Sequence, residues 1–498
     1  MSKVNGISST TNKGGSLDLV ARAHAEMIKS GFLPDFEPAV VQELQSMINK
    51  DRKPQQSAKD LRSLLWSSID NPDSKDLDQV EYCQRLEDGN VRTMVAIADV
   101  DSFVTKGSAT DKHAYSNTTS VYTGVITYPM LPDQLSFNLT SLVANEDRDA
   151  IIIDFVVDTK GDIIKSDVYT GTIRNHAKLD YKTVGAWLTA GGKAPEQISS
   201  VSGLAEQILL QSEVKQLIYK KRQEQGSLYL TTIEAIPITV KGEVLDLELV
   251  EDNPARDLIE NLMVVSNIAV SHSLEENKIP SIRRIVKTPE RWDKIVKVAA
   301  THGEILPAQP DAKALAMFLL KRKEADPERF PDLSLTIVKL LGRGEYVVEI
   351  PGQKDAGHFA LAVRDYTHAT APNRRYPDLI MQRLVKSVIA KQAQPYKFDE
   401  LNKIAAHCTE REDAAKKVER TMQKVAAAVL LSKHLGEIYQ GIVTGVTDGG
   451  TYIRIFKPPV EGKIVEGAQG LDVGDKIKVK LVSTDPEQAF IDFAYIKS

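Results

Sequence analysis

The chain has 498 residues, of which 42% are hydrophobic and 26% are charged, and its formal net charge at pH 7 is −5. This length allows two or three domains, and the composition is that of an ordinary globular protein. The weakly acidic balance disfavours a protein that coats nucleic acid nonspecifically, because such proteins carry a large positive charge.

The N-terminal part of the chain changes character twice. Residues 1–15 are rich in Ser, Thr, Asn and Gly, and this composition predicts a disordered tail. Residues 16–57 form a predicted helical region, because apolar residues recur at helical spacing up to Gly31 and again over 38–47.

Residues 58–435 form the largest predicted domain. From residue 63 to about 241 the runs are strand-like, with a hairpin over 151–173 and further strands at 228–230 and 236–240. From Ala255 the hydrophobic period becomes helical, with helices at about 291–302 and 311–324 and a long one through Cys408 to Leu435. The pattern predicts an α+β fold, a mixed or antiparallel sheet with helices packed on it.

Residues 436–498 form a separate C-terminal domain. Short strands are joined there by turns that contain Gly and Asp, and this spacing predicts a five-stranded OB barrel. Tyr452 and Arg454 fall on the same side of one of these strands, because side chains alternate along a strand.

Cysteine usage and hydropathy exclude further classes of protein. Cys83 and Cys408 are far apart in the sequence, and no Cys/His set has the spacing of a zinc site. Two thiols in so long a chain fit a reducing cytosol, so we expect a cytoplasmic protein. The sequence has no secretory signal pattern and no run of about 18 apolar residues, so we expect no membrane association.

An acidic segment, SIDNPDSKDLDQVEY from Ser68 to Tyr82, precedes the apolar strand predicted over 91–98. Neighbouring carboxylates repel one another, so a fold that gathers them requires a cation between them. Hard oxygen ligands of this kind favour Mg²⁺ or Mn²⁺. A solvated acidic turn is the alternative, and the attachment of the segment to a buried strand favours the metal site.

Four segments resemble the signature of the ribonuclease II, or RNB, catalytic domain: SIDNPDSKDLDQ from Ser68, AIADVDSFVTKGS from Ala96, YPMLPDQLSFNLTSL from Tyr128 and TAPNRRYPDLIMQRL from Thr370. The C-terminal strands resemble the S1 motif, an RNA-binding OB fold. The resemblance implies a Mg²⁺-dependent enzyme that hydrolyses single-stranded RNA from the 3′ end to nucleoside 5′-monophosphates. Mn²⁺ is an alternative metal, and we expect a monomer.

The resemblance also implies roles for individual residues. It makes Asp70, Asp76, Asp78 and the next residue the metal-binding positions, with Asp78 as the most damaging single loss. The next residue is Gln79, where many relatives have a fourth aspartate, and a neutral amide binds a divalent cation more weakly. Three interpretations stay open: a second metal recruited with substrate, a carboxylate from elsewhere, or RNA binding with little catalysis.

The remaining candidates would contact RNA. The resemblance places Arg374 on the scissile phosphate, beside Arg375 and a helix that Pro377 begins, where backbone amides attract phosphate. It expects Tyr122 to stack on the 3′-terminal base. Structural roles are the alternatives for the other predicted RNA contacts, namely Tyr181, Glu419, Tyr452 and Arg454.

The sequence departs from the family in two further ways. Relatives carry two cold-shock domains ahead of the catalytic domain, and the residues before position 58 leave no room for them. The N-terminal helices either pack on the catalytic domain or present RNA, and we expect packing. An aromatic partner for Tyr122 is expected within 282–288, where this sequence has none. We favour an active enzyme, and the alternative is an RNA-binding or regulatory protein on the same scaffold.

Overall fold

The computed structural model describes residues 17–48, 58–231, 235–240, 243–249, 252–352, 357–447 and 449–497. The predicted tail at 1–15 lies outside these residues. The α-helices of the described chain are, in order, α1 Leu19–Lys29, α2 Pro38–Ile48, α3 Ala109–Asn117, α4 Tyr181–Ala190, α5 Glu196–Ser199, α6 Leu204–Gln225, α7 Pro254–Glu276, α8 Trp292–Thr301, α9 Ala312–Ala325, α10 Phe330–Leu341, α11 Tyr376–Ile389 and α12 Phe398–Leu431.

The strands of the described residues divide between a central sheet, three small two-stranded sheets and a C-terminal barrel. They are β1 Lys59–Asp60, β2 Trp66–Asp70, β3 Gln79–Arg85, β4 Val91–Ala98, β5 Val121–Tyr122, β6 Thr127–Tyr128, β7 Asp147–Val157, β8 Ile163–Asp180, β9 Ala235–Val240, β10 Glu243–Leu249, β11 Ser281–Ile285, β12 Glu345–Glu349, β13 Ile438–Thr447, β14 Gly450–Ile455, β15 Glu461–Glu466, β16 Lys476–Asp485 and β17 Phe490–Tyr495.

The central sheet is mixed and bends round on itself. Its strand order is β1-β8-β2-β3-β4-β7, and β8 also pairs with β7. The long strand β8 makes both contacts, because its first part lies antiparallel to β7 and its last part lies parallel to β2. Strands β2, β3, β4 and β7 carry mostly buried side chains, which pack in one hydrophobic core with α6, α7, α11 and the first half of α12. The predicted α+β class with a mixed sheet is confirmed.

Two expectations for the catalytic domain are wrong. Residues 228–230 form no strand, because their side chains instead pack in the cluster of α8, α9 and α10, where the rings of Tyr229 and Phe330 stack 6.3 Å apart. The prediction of strands over 63–241 also overlooked helix α6, which lies within that range. Its buried face includes Gln211, Lys215 and Arg222, and these polar residues interrupt the apolar stripe that would have revealed a helix.

The two predicted N-terminal helices exist, and both pack on the catalytic domain as expected. Helix α1 lies against α12, and α2 lies against α3. Within the described residues, no helix combines the length and the apolar character that are needed to cross a bilayer.

The C-terminal domain is a closed barrel of five strands in the order β13-β14-β15-β17-β16, which confirms the predicted OB fold. Ala427, Ala428 and Leu431 of α12 pack in its core. Arg454 does not lie on an open face of the barrel as predicted. Its guanidinium is 2.8 Å from the Asp332 carboxylate of α10, and both side chains are only 12% exposed. The pair therefore links the barrel to α10, and each charge compensates the other away from open solvent.

Candidate active site

Three segments that are distant in sequence meet at one end of the central sheet. They are the acidic loop between β2 and β3, the segment from Thr118 to Tyr122, and the loop from Ala371 to Arg375 that leads into α11. The Tyr376 N–H donates to the Thr118 carbonyl at 2.8 Å, and the Ser120 N–H donates to the Arg374 carbonyl at 3.0 Å. Backbone hydrogen bonds therefore hold the predicted phosphate-binding loop against the segment that carries Tyr122.

The acidic loop is fixed to the sheet at its C-terminal end. The Ala98 N–H of β4 donates to the Asp78 carbonyl at 3.0 Å, and the Leu142 N–H donates to the Leu77 carbonyl at 2.9 Å. The Lys178 ammonium of β8 donates to the carbonyls of Pro72 and Ser74 at 3.0 and 2.6 Å. Asp78 is therefore attached to a rigid element, which is what a catalytic carboxylate needs.

Asp78 is the most perturbed of the predicted metal ligands. It is 1% exposed, its Oδ1 accepts the Asn373 N–H at 2.9 Å, and its Oδ2 is buried without a hydrogen-bond donor. The same Oδ2 lies 3.6 Å from Nε of Arg374. Burial raises the pKa of Asp78 to about 8, and repulsion from Asp76 contributes to the rise. A buried oxygen that lacks a donor is suited to bind a cation.

The other two predicted aspartates differ from each other. Burial raises the pKa of Asp76, and the charge of Asp70 adds to the shift. Asp70 ends β2, and its Oδ1 accepts hydrogen bonds from the Ser74 hydroxyl at 2.9 Å and from the Asn71 N–H at 2.7 Å. Asp70 was expected in a loop and instead ends a strand, and one of its oxygens is engaged by the loop that follows.

The predicted ligand set is not preassembled. Across the described part of the chain, no three His, Cys, Asp or Glu side chains stand together as a metal site would require. Mg²⁺ commonly uses only one or two carboxylates and completes its shell with waters and substrate phosphates. Asp76 and Asp78 fit that requirement, because they repel each other and one buried oxygen lacks a donor.

Gln79 begins β3 and pairs with Ile97 of β4. The nearest further carboxylate on this strand is Glu81, two residues along and therefore on the same face. Glu81 is fully buried, and neither of its oxygens has a hydrogen-bond partner. Burial, with the charge of Asp70, raises the pKa of Glu81 well above its ordinary range. Sequence reasoning overlooked this residue, because a glutamate within a strand carries no sign of burial.

The two predicted arginines precede α11 as expected, with Pro377 in its first turn. The Arg374 side chain is 45% exposed and reaches the aspartates, as its contact with Asp78 indicates. The Arg375 guanidinium donates to Oδ1 of the fully buried Asp378 at 2.6 Å. Arg374 is thus accessible to a ligand, whereas Arg375 also neutralises a carboxylate of its own helix.

Tyr122 and Glu419 are brought together although 297 residues separate them: the Tyr122 N–H donates to Oε1 of Glu419 at 2.9 Å. Burial raises the pKa of the Tyr122 hydroxyl, and the charges of Asp76 and Asp78 raise it further. The phenol therefore stays neutral beside the aspartates. The predicted site residues Tyr122, Glu419, Arg374, Asp76 and Asp78 form one neighbourhood.

Tyr181 and Tyr452 lie in different places. Tyr181 is the first residue of α4, and the Arg256 guanidinium lies over its ring, 4.7 Å from the ring centroid. The charge of Asp70 contributes, after burial, to the raised pKa of Tyr181, so this ring borders the Asp70 end of the site. Tyr452 is half-buried on β14 of the barrel, opposite Lys463.

A cavity of about 160 Å³ adjoins Tyr122, and it is also lined by Tyr346, His368, Arg375 and Glu419. The range 282–288, where an aromatic was expected, includes most of β11 and has none. Tyr346 lies on the paired strand β12, directly across from Arg284, and supplies an aromatic there. Its hydroxyl is 2.8 Å from Nδ1 of His368. Sequence reasoning missed both residues, because only the pairing of β11 with β12 brings Tyr346 here.

Comparison with known families identifies the fold. The RNB domain model matches residues 58–391, more than half of the chain, and the chain therefore belongs to the RNB family. The model of the RNase II-type exonuclease C-terminal S1 domain matches residues 437–496.

Individual relatives agree with this assignment. Ribonuclease R 1 of Lactococcus lactis is 30% identical over 471 residues, which cover 88% of this chain and 56% of that protein. The chain thus spans little more than half the length of this curated relative. The fold also matches RNase R of Mycoplasma genitalium in complex with ribose-methylated single-stranded RNA, with a TM-score of 0.85, 24% identity and coverage of 96% and 78% of the two chains.

A further structural match concerns a protein of a different kind. Yeast Ssd1, a pseudonuclease, matches with a TM-score of 0.71 and 16% identity over 93% of this chain and 57% of its own. The fold alone therefore does not distinguish an enzyme from a protein without nuclease activity, and the chemistry of the site must decide.

Proposed function

We propose that this protein is a 3′→5′ exoribonuclease that hydrolyses single-stranded RNA to nucleoside 5′-monophosphates with Mg²⁺ as its metal. One observation carries the proposal: the buried Oδ2 of Asp78 has no hydrogen-bond donor and lies 3.6 Å from Arg374. Once a cation replaces the proton that burial favours on Asp78, this oxygen and the accessible guanidinium suit a site in which a cation and a phosphate bind side by side. The relatives named ribonuclease R support the same activity.

Each residue has a defined part in the proposed reaction. Asp76 and Asp78 would hold the metal, and the metal would supply an activated water and offset charge on the phosphate. Arg374 binds a phosphate oxygen through its guanidinium fork, and its backbone is fixed by Ser120. Tyr122 stacks on the terminal base, since stacking tolerates any base and contributes about 1–3 kcal/mol.

The alternative function is an RNA-binding or regulatory protein that has lost catalysis. Gln79 favours this alternative, because an amide in place of a carboxylate weakens the hold on a divalent cation. The fold shared with a pseudonuclease is compatible with it. The second interpretation therefore differs from the first in metal-dependent chemistry and not in RNA binding.

Incubation with 5′-labelled single-stranded RNA separates the two functions. We expect Mg²⁺ to produce a ladder that shortens from the 3′ end, with release of nucleoside 5′-monophosphates, and we expect EDTA to stop it. A circular RNA of the same sequence is the matched control, because it has no end and should stay intact. If linear RNA is bound in a gel shift but survives with Mg²⁺, the exoribonuclease proposal is wrong.

Restoring a carboxylate at position 79 should strengthen metal binding. We expect Gln79→Asp to lower the Mg²⁺ concentration for half-maximal activity about tenfold, the scale on which changes next to a metal alter affinity. The added charge should also destabilise the metal-free protein, so that Mg²⁺ raises its unfolding temperature more than it does for the wild type. A Mg²⁺ titration of activity and of thermal unfolding measures both effects.

The matched control for this substitution is Gln84→Asp, which adds the same charge at an exposed position of the same strand. An equal shift in both variants would show that net charge, and not a ligand at position 79, governs the metal requirement. An unchanged Mg²⁺ requirement in Gln79→Asp would exclude that side chain from the metal site.

A further inference from the structure

The hairpin of β5 and β6 is the smallest sheet among the described residues, and it carries the predicted site residue Tyr122. Val121 pairs with Tyr128, and Tyr122 pairs with Thr127. Because alternate residues of a strand face opposite sides, Val121 and Tyr128 face one way and Tyr122 faces the other. A hairpin of two residues per strand is too small to hold its own position in water, so other elements must fix it.

The side opposite Tyr122 belongs to a separate hydrophobic cluster. Val121 and Tyr128 are buried there together with residues from two helices: Leu19, Ala23 and Met27 of α1, and Ala415, Val418, Met422, Val425 and Ala426 of α12. The His24 ring of α1 lies 6.4 Å from the Tyr128 ring. The N-terminal helix thus forms one wall of the cluster on which the hairpin rests.

The second wall of this cluster also belongs to the site. Helix α12 contributes Val418 to the cluster and, at the next position, Glu419, which accepts the Tyr122 N–H. The hairpin is therefore held from both sides: α12 fixes the Tyr122 backbone, and α1 and α12 together bury the opposite face. Removing the α1 wall would leave the hydrogen bonds of Ser120 to Arg374 and of Tyr122 to Glu419, but it would uncover the side of the cluster that α1 now buries.

Helix α1 is firmly attached to the catalytic domain. Its N-terminus is capped by Asp18, which accepts the N–H groups of Val20 and Ala21 at 3.0 Å. Beyond its C-terminus, the Leu33 N–H donates to the Asn117 side chain, whose amide donates back to the Leu33 carbonyl, both at 2.9 Å. The Arg411 guanidinium of α12 stacks 3.8 Å from the Phe32 ring. These contacts make α1 a fixed support.

We propose that α1 is a positioning element of the active site: by burying Val121 and Tyr128 from behind, it holds Tyr122 at the aspartates. Met27 and Leu19, which touch no substrate in this arrangement, are then positioning residues for RNA turnover. The effect on turnover rests on the proposed function. The support of the hairpin by α1 does not depend on that function. This support gives α1, but not α2, a role in the reaction beyond packing.

The test compares two equally simple truncations in the N-terminal region. Met27→Ala removes a buried side chain from the cluster behind the hairpin, whereas Leu44→Ala removes one from the main core, where α2 packs. We expect Met27→Ala to lose hydrogen-exchange protection over residues 121–128 and to lower kcat about tenfold, since small misplacements at a reacting centre cost 10–100-fold. Leu44→Ala should change neither, at a temperature where both variants are folded.

Two further variants establish that the effect passes through Tyr122. Met27→Leu nearly conserves volume and should restore both protection and kcat. In the Tyr122→Ala background, Met27→Ala should lower kcat no further, because the side chain that it positions is already gone.

The outcomes separate the inference from the function on which it rests. Unchanged protection of residues 121–128 in Met27→Ala, or additive losses of kcat in the double variant, would overturn the positioning role. Loss of protection with no RNA hydrolysis by any variant, the wild type included, would overturn the exoribonuclease and the turnover role together, while the mechanical link between α1 and the hairpin would stand.

Discussion

Asp78→Asn is expected to reduce Mg²⁺-dependent RNA hydrolysis by on the order of 10³-fold, because it removes the charge that would hold the metal and keeps the shape of the side chain. The amide can still accept the Asn373 N–H, so the loop before α11 should keep its place. RNA affinity should change little. Single-turnover kinetics with 5′-labelled RNA and a gel shift measure the two effects separately.

The same substitution should stabilise the metal-free protein. The pKa of Asp78 is raised from 3.8 to about 8, so the folded state binds the proton more tightly than the unfolded state does. Below pH 3.8 the carboxyl is protonated in both states, and the free energy of unfolding is at its highest with respect to this group. As pH rises from 3.8 to about 8, the unfolded state gains by ionising this carboxyl while the folded state does not, so the free energy of unfolding falls. With EDTA present, Asp78→Asn should have the higher unfolding temperature, and its advantage should grow over that pH interval.

Asp73→Asn is the matched control for both measurements, because Asp73 is an exposed aspartate of the same loop. It should retain hydrolysis and show no pH-dependent gain in stability. If Asp78→Asn hydrolyses RNA at the wild-type rate, or if it is less stable than the wild type without metal at pH 8, this carboxylate is a structural acid and the proposed metal site is wrong.

Local sequence determined the parts of this molecule that were predicted correctly. The Asn-Pro step at Asn71 and Pro72 indicates a turn, and Asp73, Asp76 and Asp78 do lie in a loop there. The loop is shorter than the acidic segment suggests, because residues 68–70 belong to β2 and residues 79–82 belong to β3. Pro377 lies in the first turn of α11 because its fixed φ suits that turn and its missing N–H has no partner there to lose. Such features depend on a few neighbouring residues, and a single sequence contains them.

The parts that were missed depend on tertiary contacts. Whether Arg454 faces RNA or another domain depends on Asp332, which lies 122 residues earlier on α10. Which aromatic lines the cavity next to Tyr122 depends on the pairing of β11 with β12, which brings Tyr346 there. Alternation along a strand predicts that two residues share a face, but it does not identify the element that covers this face.

Arg374→Lys should lower kcat about 100-fold with a smaller change in KM, which is the scale observed when one preorganised donor to a developing oxyanion is removed. Lysine keeps the positive charge but loses the planar fork that binds two phosphate oxygens at once. The backbone of Arg374 is held by the Ser120 N–H, so the substitution should leave the loop in place. Steady-state kinetics over a range of RNA concentrations measures kcat and KM.

The matched control is Arg85→Lys, because the Arg85 side chain is 49% exposed, close to the 45% of Arg374, and pairs with Glu213 away from the aspartates. A surface ion pair of this kind contributes about 0–1 kcal/mol, so the control should change neither kcat nor stability appreciably. If Arg374 binds the phosphate, Arg374→Ala should have a lower kcat than Arg374→Lys, because alanine loses the charge as well as the planar fork. If lysine supports the wild-type kcat, Arg374 acts only as a diffuse positive charge beside Asp78.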